Sequence, residues 1–475
     1  MNQLSLFEQA TQPLNVIAKA FVPDCFTKQL KINSHNGRRR IRLSSNILEM
    51  MGWGHNTRTS MNSLGIDKGI EILKDDSGTT KIYQRSYKRR VNNPFETQID
   101  IQNQNLIDNS IYNYTEELHF DIQRNRILVT PLPNRTFNIR RNIRNAKELE
   151  AFVAMSSGVD LHSLAKTGFS ISGLLEYRPN EKRDKVDYTE TGALCAMGQS
   201  HISNVFNEDI SKIRWDMVKR KLEGNQPVSF AHISLQCDDF SNVKAKSLKE
   251  RSVKDLDTTI DLVYDGLRMI EEINPGVVLV ENVEGFGNSM AGQLMAVKLR
   301  KWGYHVTEGM LTGKDYGGLT KRKRYYLVAS VFPGFTFPEQ SHSIQTAWDM
   351  VQEELPNLRD VTANKSVQDG IKTKRIRLIK EGDAYSPTLL KSQNRMAKDS
   401  LYIEYNNRIL FPNESLLRKL SGIPSDFNLN LVGETIGSEI IGQGIDYPMH
   451  DRIIESIYSH IQSNQLNSHI IKIDQ

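Results

Sequence analysis

The chain is short of most features that would place a protein at a membrane, outside the cell or in a repeat array. Its 475 residues include only three cysteines, Cys25, Cys195 and Cys237, too few and too scattered for a disulfide framework or a cysteine-rich zinc site. No apolar run approaches the roughly 20 residues needed to cross a bilayer. The opening MNQLSLFEQATQPLN has no basic segment followed by an apolar one, so no signal peptide is expected. Internal repeats and low-complexity segments are missing as well. Charge imbalance is small, with a formal net charge of +5. At 38% hydrophobic and 25% charged the composition is that of an ordinary globular protein, long enough for two or three domains with cores of their own. These exclusions leave a reducing, cytoplasmic setting and no membrane partner as the expectation.

What is present is unevenly distributed. NGRRRIR (36–42) carries four arginines, Arg38, Arg39, Arg40 and Arg42, and KIYQRSYKRR (81–90) adds Lys81, Arg85, Lys88, Arg89 and Arg90 around Tyr83 and Tyr87. One charge run is more often a solvated face than a site. Two basic clusters with aromatics in one short stretch fit a binder of phosphate backbones.

The chain divides by texture. Residues 1–35 read as a leader with little periodicity. Residues 36–145 read as a basic β-rich domain, with RIRLS, GIEIL, TKIYQRSY, ELHFDI and NRILVTPL as short strands between Gly, Asn and Asp turns, and NILEMMGW as a helical turn. From about 150, VDLHSLA, KVDYTE, VSFAHISLQ, VVLVE, HVTEGML and YYLVASV read as strands alternating with helices such as DLDTTIDLVYDGLRMIEEI and SMAGQLMAVKLRKWG. Such alternation predicts an α/β fold with a parallel sheet covered on both faces, whose ligands gather at the carboxyl ends of the strands.

Three segments put reactive groups at those ends. QCDDFS (236–241) follows the apolar strand VSFAHISL, PGVVLVENV (275–283) ends in Glu281 and Asn282, and YGGLTKRKRYYLVAS (316–330) sets Arg322 and Arg324 before another apolar strand. Taken singly, Cys237 reads as a small buried hydrophobe, Glu281 as a helix cap or ion-pair partner, and the arginines as surface cations. Together they offer a thiol, a carboxyl group and guanidiniums.

In order and spacing these segments resemble the cytosine-C5 DNA methyltransferases, which carry P-C-Q-x-F-S, E-N-V and Q-x-R-x-R. Cys237, Phe240 and Ser241 match the first motif, Glu281, Asn282 and Val283 the second, and Tyr316, Gly317, Arg322 and Arg324 the third. RILFPNESLLRKLSGIPSDF (408–427) and IIGQGIDYPM (440–449) resemble the family's two closing segments. The likeness spans roughly residues 155–460. It implies a Rossmann-like S-adenosylmethionine-dependent methyltransferase sheet over 150–335, a small target-recognition segment over 336–407, in which SPTLLKSQNR resembles a family strand, and a C-terminal part of the methyltransferase domain over 408–475. Basic strand, short helix and GxxKGIEIL strand near the N-terminus loosely resemble swapped-hairpin DNA-binding domains of the transition-state-regulator type, which implies an N-terminal domain able to dimerise.

The resemblance also implies roles. The reaction is transfer of a methyl group from S-adenosylmethionine to C5 of a cytosine flipped out of double-stranded DNA. Cys237 would add to C6 as a thiolate, Glu281 would hydrogen-bond N3 and the exocyclic amine, and Arg322 and Arg324 would donate to the O2 side. Cofactor contacts would come from Asp160, Leu161, Glu190, Asp209, Ile210, Phe240 and Gln443. Arg38, Arg39, Arg40, Arg42, Arg85, Lys88, Arg89, Arg90, Lys244 and Lys246 would face DNA, the last two from a mobile loop over 242–254. No metal is implied. Gln236, Asp238, Thr320 and Gln443 depart from the family pattern, and Asp238 should raise the thiol pKa. The family's D-L-F-x-G-x-G-G loop, sought in VDLHSLAKTGFSISGLLE (159–176), looks degenerate there. Three readings stay open: an active DNA methyltransferase, with or without a cognate restriction endonuclease; a non-catalytic DNA-binding protein on a relict fold; and a same-fold enzyme with altered base chemistry or an RNA substrate.

Overall fold

The computed structural model of the protein describes residues 22–88, 95–180, 184, 186–241 and 244–471, the last five by their backbone alone. Arg89, Arg90 and residues 1–21 of the expected leader lie outside the described residues. The chain falls into two compact units divided between Asn138 and Ile139.

The first unit is antiparallel. Its six-stranded sheet runs β1 (Cys25–Lys31), β9 (Glu117–Gln123), β10 (Arg126–Pro131), β5 (Ile70–Lys74), β4 (Arg58–Ser63), β6 (Thr80–Lys81), and a second sheet runs β2 (Asn33–His35), β3 (Arg38–Ser45), β8 (Phe95–Ile101), β7 (Tyr83–Ser86). Alternation of side chains along each strand explains why these segments pair: in β9, Leu118, Phe120 and Ile122 point inward while Glu117 and Gln123 are exposed. The same spacing buries Ile70 and Ile72 of β5 and Ile127 and Val129 of β10. One expectation changes here. The unit begins ahead of residue 36, because Cys25–Lys31 alternates and pairs with β9 along its whole length. Within the second sheet β3 pairs with β2 and β8 of its own chain.

The second unit is α/β. Seven strands run in the order β13 (Val205–Phe206), β12 (Ser170–Leu175), β11 (Glu150–Ala154), β14 (Val228–Ile233), β15 (Val277–Asn282), β17 (Lys323–Ser330), β16 (His305–Thr312). All pair in parallel except β17, which runs antiparallel to both neighbours. β14 and β15 are buried at every position, as strands covered on both faces must be. The direction of winding reverses between β11 and β14, and that switch point is where such sheets open a crevice.

Two strand expectations fail at this end. VDLHSLA is a helix, Val159–Thr167, closed by glycines in left-handed conformation at 158 and 168. Leu161 and Leu164, three apart, pack on one core while Val159 packs on another, and burial of six consecutive residues hid the polar face. The first strand is the preceding EAFVA. KVDYTE is likewise misread: Lys185 lies outside the described residues, VDYTE (186–190) is no strand, with Val186, Asp187 and Glu190 exposed on the approach to helix Thr191–Met197, and the second strand is SISGLL.

The expected boundary at 407/408 also moves. A small sheet runs β18 (Arg359–Asp360), β21 (Arg408–Phe411), β20 (Leu401–Tyr405), β19 (Arg377–Ile379). β20 and β21 form one hairpin, with Asn406 and Asn407 in left-handed conformation at its tip, so the division would cut it. Helices Glu434–Gln443 and Tyr447–Ile471 follow.

Candidate active site

Cys237 lies just past the carboxyl end of β14, half-buried in a tight turn whose Phe240 and Ser241 amides both donate to its carbonyl, at 3.0 and 2.9 Å. Phe240 is buried edge-on against Phe286. The flanking residues that depart from the family pattern engage each other: Gln236 Nε2 donates to Asp238 Oδ2 at 2.7 Å. Burial is the largest influence on the thiol and pushes its pKa up. Next comes the Arg324 charge, which pulls it down, while Asp238 and Glu281 push it up. The thiol, Glu281 and both arginines therefore share one electrostatic environment.

Glu281 ends β15, buried, and both its oxygens are held. Oε1 pairs with Arg324 Nε at 2.9 Å, and Oε2 accepts from Ser234 Oγ at 3.2 Å. Asn282 ties the two strand ends together, its Nδ2 donating to the Leu235 carbonyl at 2.8 Å. Sequence reasoning misses Ser234, because a serine three residues before a cysteine carries no signal until the carboxylate it meets is known.

The two arginines part company. Arg324 reaches the carboxylate. Arg322 is buried, and its guanidinium donates to the carbonyls of Leu389, Gly442 and Gln443 at 3.0, 3.2 and 2.7 Å. Burial, then the Arg324 charge, pulls its pKa down to about 9. It ties the closing segment, at Gly442 and Gln443, to Leu389 of the target-recognition segment, and all three bonds go to backbone carbonyls. Thr320, where the family has glutamine, bonds Asp446 of the same closing segment. Gln443 offers its carbonyl to Arg322 and leaves its side chain exposed.

Across the switch point, the loop after β11 runs Met155–Ser156–Ser157–Gly158. Met155, Ser157 and Gly158 have φ of 63°, 53° and 95°, the region glycine adopts most readily. This backbone, rather than 159–176, follows the first strand of the sheet, the place where the glycine loop was sought. Asp160 and Leu161, expected to bind cofactor, instead lie in the following helix, both buried. The acid at the end of the second strand is Glu176, not Glu190. Glu176 Oε2 accepts the Ser157 amide at 2.9 Å, and burial raises its pKa from 4.5 to about 7. A Cβ at Gly192 would lie 2.6 Å from Glu176 Oε1, so a bare backbone is required beside it. Asp209 and Ile210 follow the third strand, β13; Asp209 Oδ1 accepts from the Ser211 amide and hydroxyl, and Ile210 is buried. The donor set at this edge, a loop of turned amides with two acids on adjacent strand ends, suits the hydroxyls and amine of a nucleoside.

The expected DNA contacts divide. Arg39 donates to the carbonyls of Ile111 and Tyr112, and Arg40 pairs through two nitrogens with Asp100. Both are engaged in the first unit's own structure, and Arg42 is half-buried. Arg38, Arg85 and Lys88 are exposed, with the Arg85 guanidinium 5.1 Å from the Tyr87 ring. Lys244 is tied to Asp239 and Ser252 at 2.6 Å each. Lys246, 91% exposed, opens a helix, Lys246–Lys254, where a mobile loop was expected.

No helix among the described residues is long and apolar enough to cross a membrane. Against known proteins, the chain is similar in sequence to the Type II methyltransferase M.Bsp6I of Bacillus sp. (strain RFL6), 25% identical over 222 residues, covering 42% of this chain and 70% of that protein. In fold it is similar to the Entamoeba histolytica methyltransferase EhMeth and the S. pombe Dnmt2 methyltransferase, each with a TM-score of 0.51 over 66% of this chain and 99% of the other, at 14% and 15% identity. The family model described as C-5 cytosine-specific DNA methylase matches residues 199–459, the stretch that carries Cys237, the Glu281–Arg324 pair and the closing segments clamped by Arg322, and the chain belongs to that family.

Proposed function

We propose that the second unit methylates C5 of cytosine in double-stranded DNA through a covalent Cys237–C6 adduct, in a cytoplasmic setting, and that the first unit adds contacts to the DNA backbone. The observation that carries this reading is the Glu281–Arg324 ion pair beside the Cys237 turn, at the carboxyl ends of two adjacent buried strands.

A cytosine must leave the duplex to be reached. Burial favours the neutral thiol, so the thiolate forms as the base arrives and Arg324 offsets its charge. The Cys237 Sγ–C6 bond forms as the C5=C6 pair shifts toward C5, and Glu281 hydrogen-bonds the ring at N3, holding the proton that stabilises the adduct. S-adenosylmethionine, when bound, supplies an electrophilic methyl group. Loss of the C5 proton to a base then restores the double bond and expels the thiolate. Ser234 and Arg324 hold the Glu281 carboxylate against rotation. Glu176 would hold ribose hydroxyls and Asp209 the adenine amine, with the Met155–Gly158 amides lining the cofactor. The relict reading rests on missing glycines; the left-handed conformations of Met155 and Ser157 speak for a loop that keeps its shape. Similarity to a protein described as a Type II methyltransferase favours a place beside a restriction endonuclease.

The test is to incubate the protein with duplex DNA containing 5-fluorocytosine and S-adenosylmethionine. A covalent complex that Cys237→Ser abolishes is expected; its absence from the native protein overturns the mechanism. For the first unit, replacing Arg38, Arg85 and Lys88 by glutamine should lower the slope of log affinity against log salt by about 0.9 for each phosphate no longer neutralised. An unchanged slope removes this unit from the interface.

A further inference from the structure

Beneath the site, three buried polar side chains meet, close enough to Glu281 and Glu176 for their charges to act on Asp160. Asp160 is the second residue of helix Val159–Thr167, His232 is the fifth residue of β14, and His450 stands near the start of helix Tyr447–Ile471. The two histidines are fully buried and Asp160 is 2% exposed. Asp160 Oδ2 is 3.1 Å from His232 Nδ1 and its Oδ1 is 3.7 Å from His450 Nε2. One ligand atom from each of the three residues can be chosen so that all lie within 4.8 Å of one another.

Hydrogen bonding does not account for this cluster. Both ring nitrogens of His232 and the Nε2 of His450 are buried without a hydrogen-bond partner, although native interiors pair nearly all such atoms. The close approach of His232 to Asp160 is out of line for a donated proton. Nor does the mechanism above use any of the three. Two imidazoles and one carboxylate, converging with unpartnered nitrogens, are instead the ligand set of a borderline divalent cation.

We propose that Asp160, His232 and His450 bind one zinc-class divalent cation, through Asp160 oxygen, an unpartnered nitrogen of His232 and Nε2 of His450. The scarcity of cysteine excluded a thiolate site and gave no hint of this one, whose ligands stand 72 and 218 residues apart in the chain. At bond lengths of about 2.0–2.1 Å, tetrahedral ligand atoms lie about 3.4 Å apart, so a cluster whose ligand atoms lie within 4.8 Å of one another closes by at most about 1.4 Å along any edge on binding. His450 has an orienting partner: its Nδ1 is 3.4 Å from the Tyr326 hydroxyl, a contact on the second ring nitrogen that leaves Nε2 for metal. Three protein ligands leave a fourth position for water. The cation would fasten the helix that follows the Met155–Gly158 loop, and the helix that follows the Arg322-clamped segment, to the strand that presents Cys237. Its role is to hold those elements together, and it does not enter the methyl transfer.

The full chain, purified without chelator and then dialysed against zinc, should carry one equivalent of zinc by mass spectrometry. After demetallation, cobalt(II) should add with saturation at one equivalent and with the intense visible bands of a four-coordinate site. Zinc at about 100 times its dissociation constant should raise the melting temperature of the demetallated chain by about 5 °C. His232→Ala and His450→Ala should each lose the cobalt bands. Because either variant could fail to fold, the native chain decides: less than about a tenth of an equivalent of metal after loading, no cobalt bands and no zinc-dependent rise in melting temperature overturn the site. Folded variants that retain full metal overturn it as well, by placing the metal elsewhere.

Discussion

The carboxyl ends of β14 and β15 and those of β11 and β12 belong to one sheet and flank one switch point, yet they are made of different materials. At the first, chemistry resides in side chains: a thiol, and a carboxylate held by Arg324 and Ser234. At the second, it resides in the backbone, a loop turned through left-handed conformations with a buried acid on one of its amides. An end built of side chains fails when one group is changed. An end built of backbone tolerates new side chains wherever the conformation survives, which is why Met155 and Ser157 can stand where glycines are usual.

The largest expected effect follows from that contrast. Cys237→Ala should lower methyl transfer by on the order of 10⁴-fold or more, since nothing else at the site can form the bond to C6. Arg324→Met should lower it by about 10²–10³-fold by releasing Glu281 and removing a half-buried donor, at a smaller cost in stability than the loss of Arg322. Arg322→Met is the converse: three carbonyls lose their donor, and unfolding stability should fall by about 4 kcal/mol. Urea titrations of the two variants side by side check this. Equal loss of stability would mean that the arginines share one task.

At the other end the expected effect is a slope in pH. Glu176 has its pKa raised by burial from 4.5 to about 7. Between those values the unfolded chain has released its proton while the folded carboxyl keeps it, so stability is full below pH 4.5 and falls as pH rises toward 7. The fall is about 3 kcal/mol for this group, at 1.36 kcal/mol per unit of pKa. Glu176→Gln, which still accepts the Ser157 amide, should remove that part of the slope. Denaturant unfolding at pH 5 and pH 7.5 reads it, and an unaltered slope would show that Glu176 does not titrate in this window.

The same division explains what the sequence makes legible. That Cys237, Glu281 and Arg324 would meet at neighbouring strands can be read because residue type at short spacing marks them, and the apolar runs beside them mark the strands. The other end is misread by one element: a helix whose first six residues are buried shows no polar face there, and a five-residue strand, EAFVA, is too short to declare itself. Mistaking VDLHSLA for the strand shifts the loop into 159–176 and the second-strand acid from Glu176 to Glu190. Arg322 matches its motif as well as Arg324 does, because a motif records residue type and not which way a side chain turns. Arg39 and Arg40 read as surface charge because Asp100 and the carbonyls of Ile111 and Tyr112 come from distant strands and loops.

The smallest effect is the sharpest test of a backbone-built end. A left-handed conformation costs an L-residue about 1–2 kcal/mol relative to the right-handed one, and the cost vanishes for glycine, which in turn loses about 0.4–1 kcal/mol through its freer unfolded chain. Ser157→Gly should therefore stabilise the protein by about 0.5–1 kcal/mol, read as a higher denaturant midpoint at unchanged slope. Met155→Gly meets the same backbone gain but gives up a partly buried side chain packed on the core, so its net effect should be smaller or reversed. Ser157 is the cleaner of the two, because the hydrogen bond it makes to Glu176 comes from its amide, which glycine keeps. If Ser157→Gly instead weakens the fold, the hydroxyl supplies stability that the loop's shape does not, and this end of the sheet depends on side chains as much as the other.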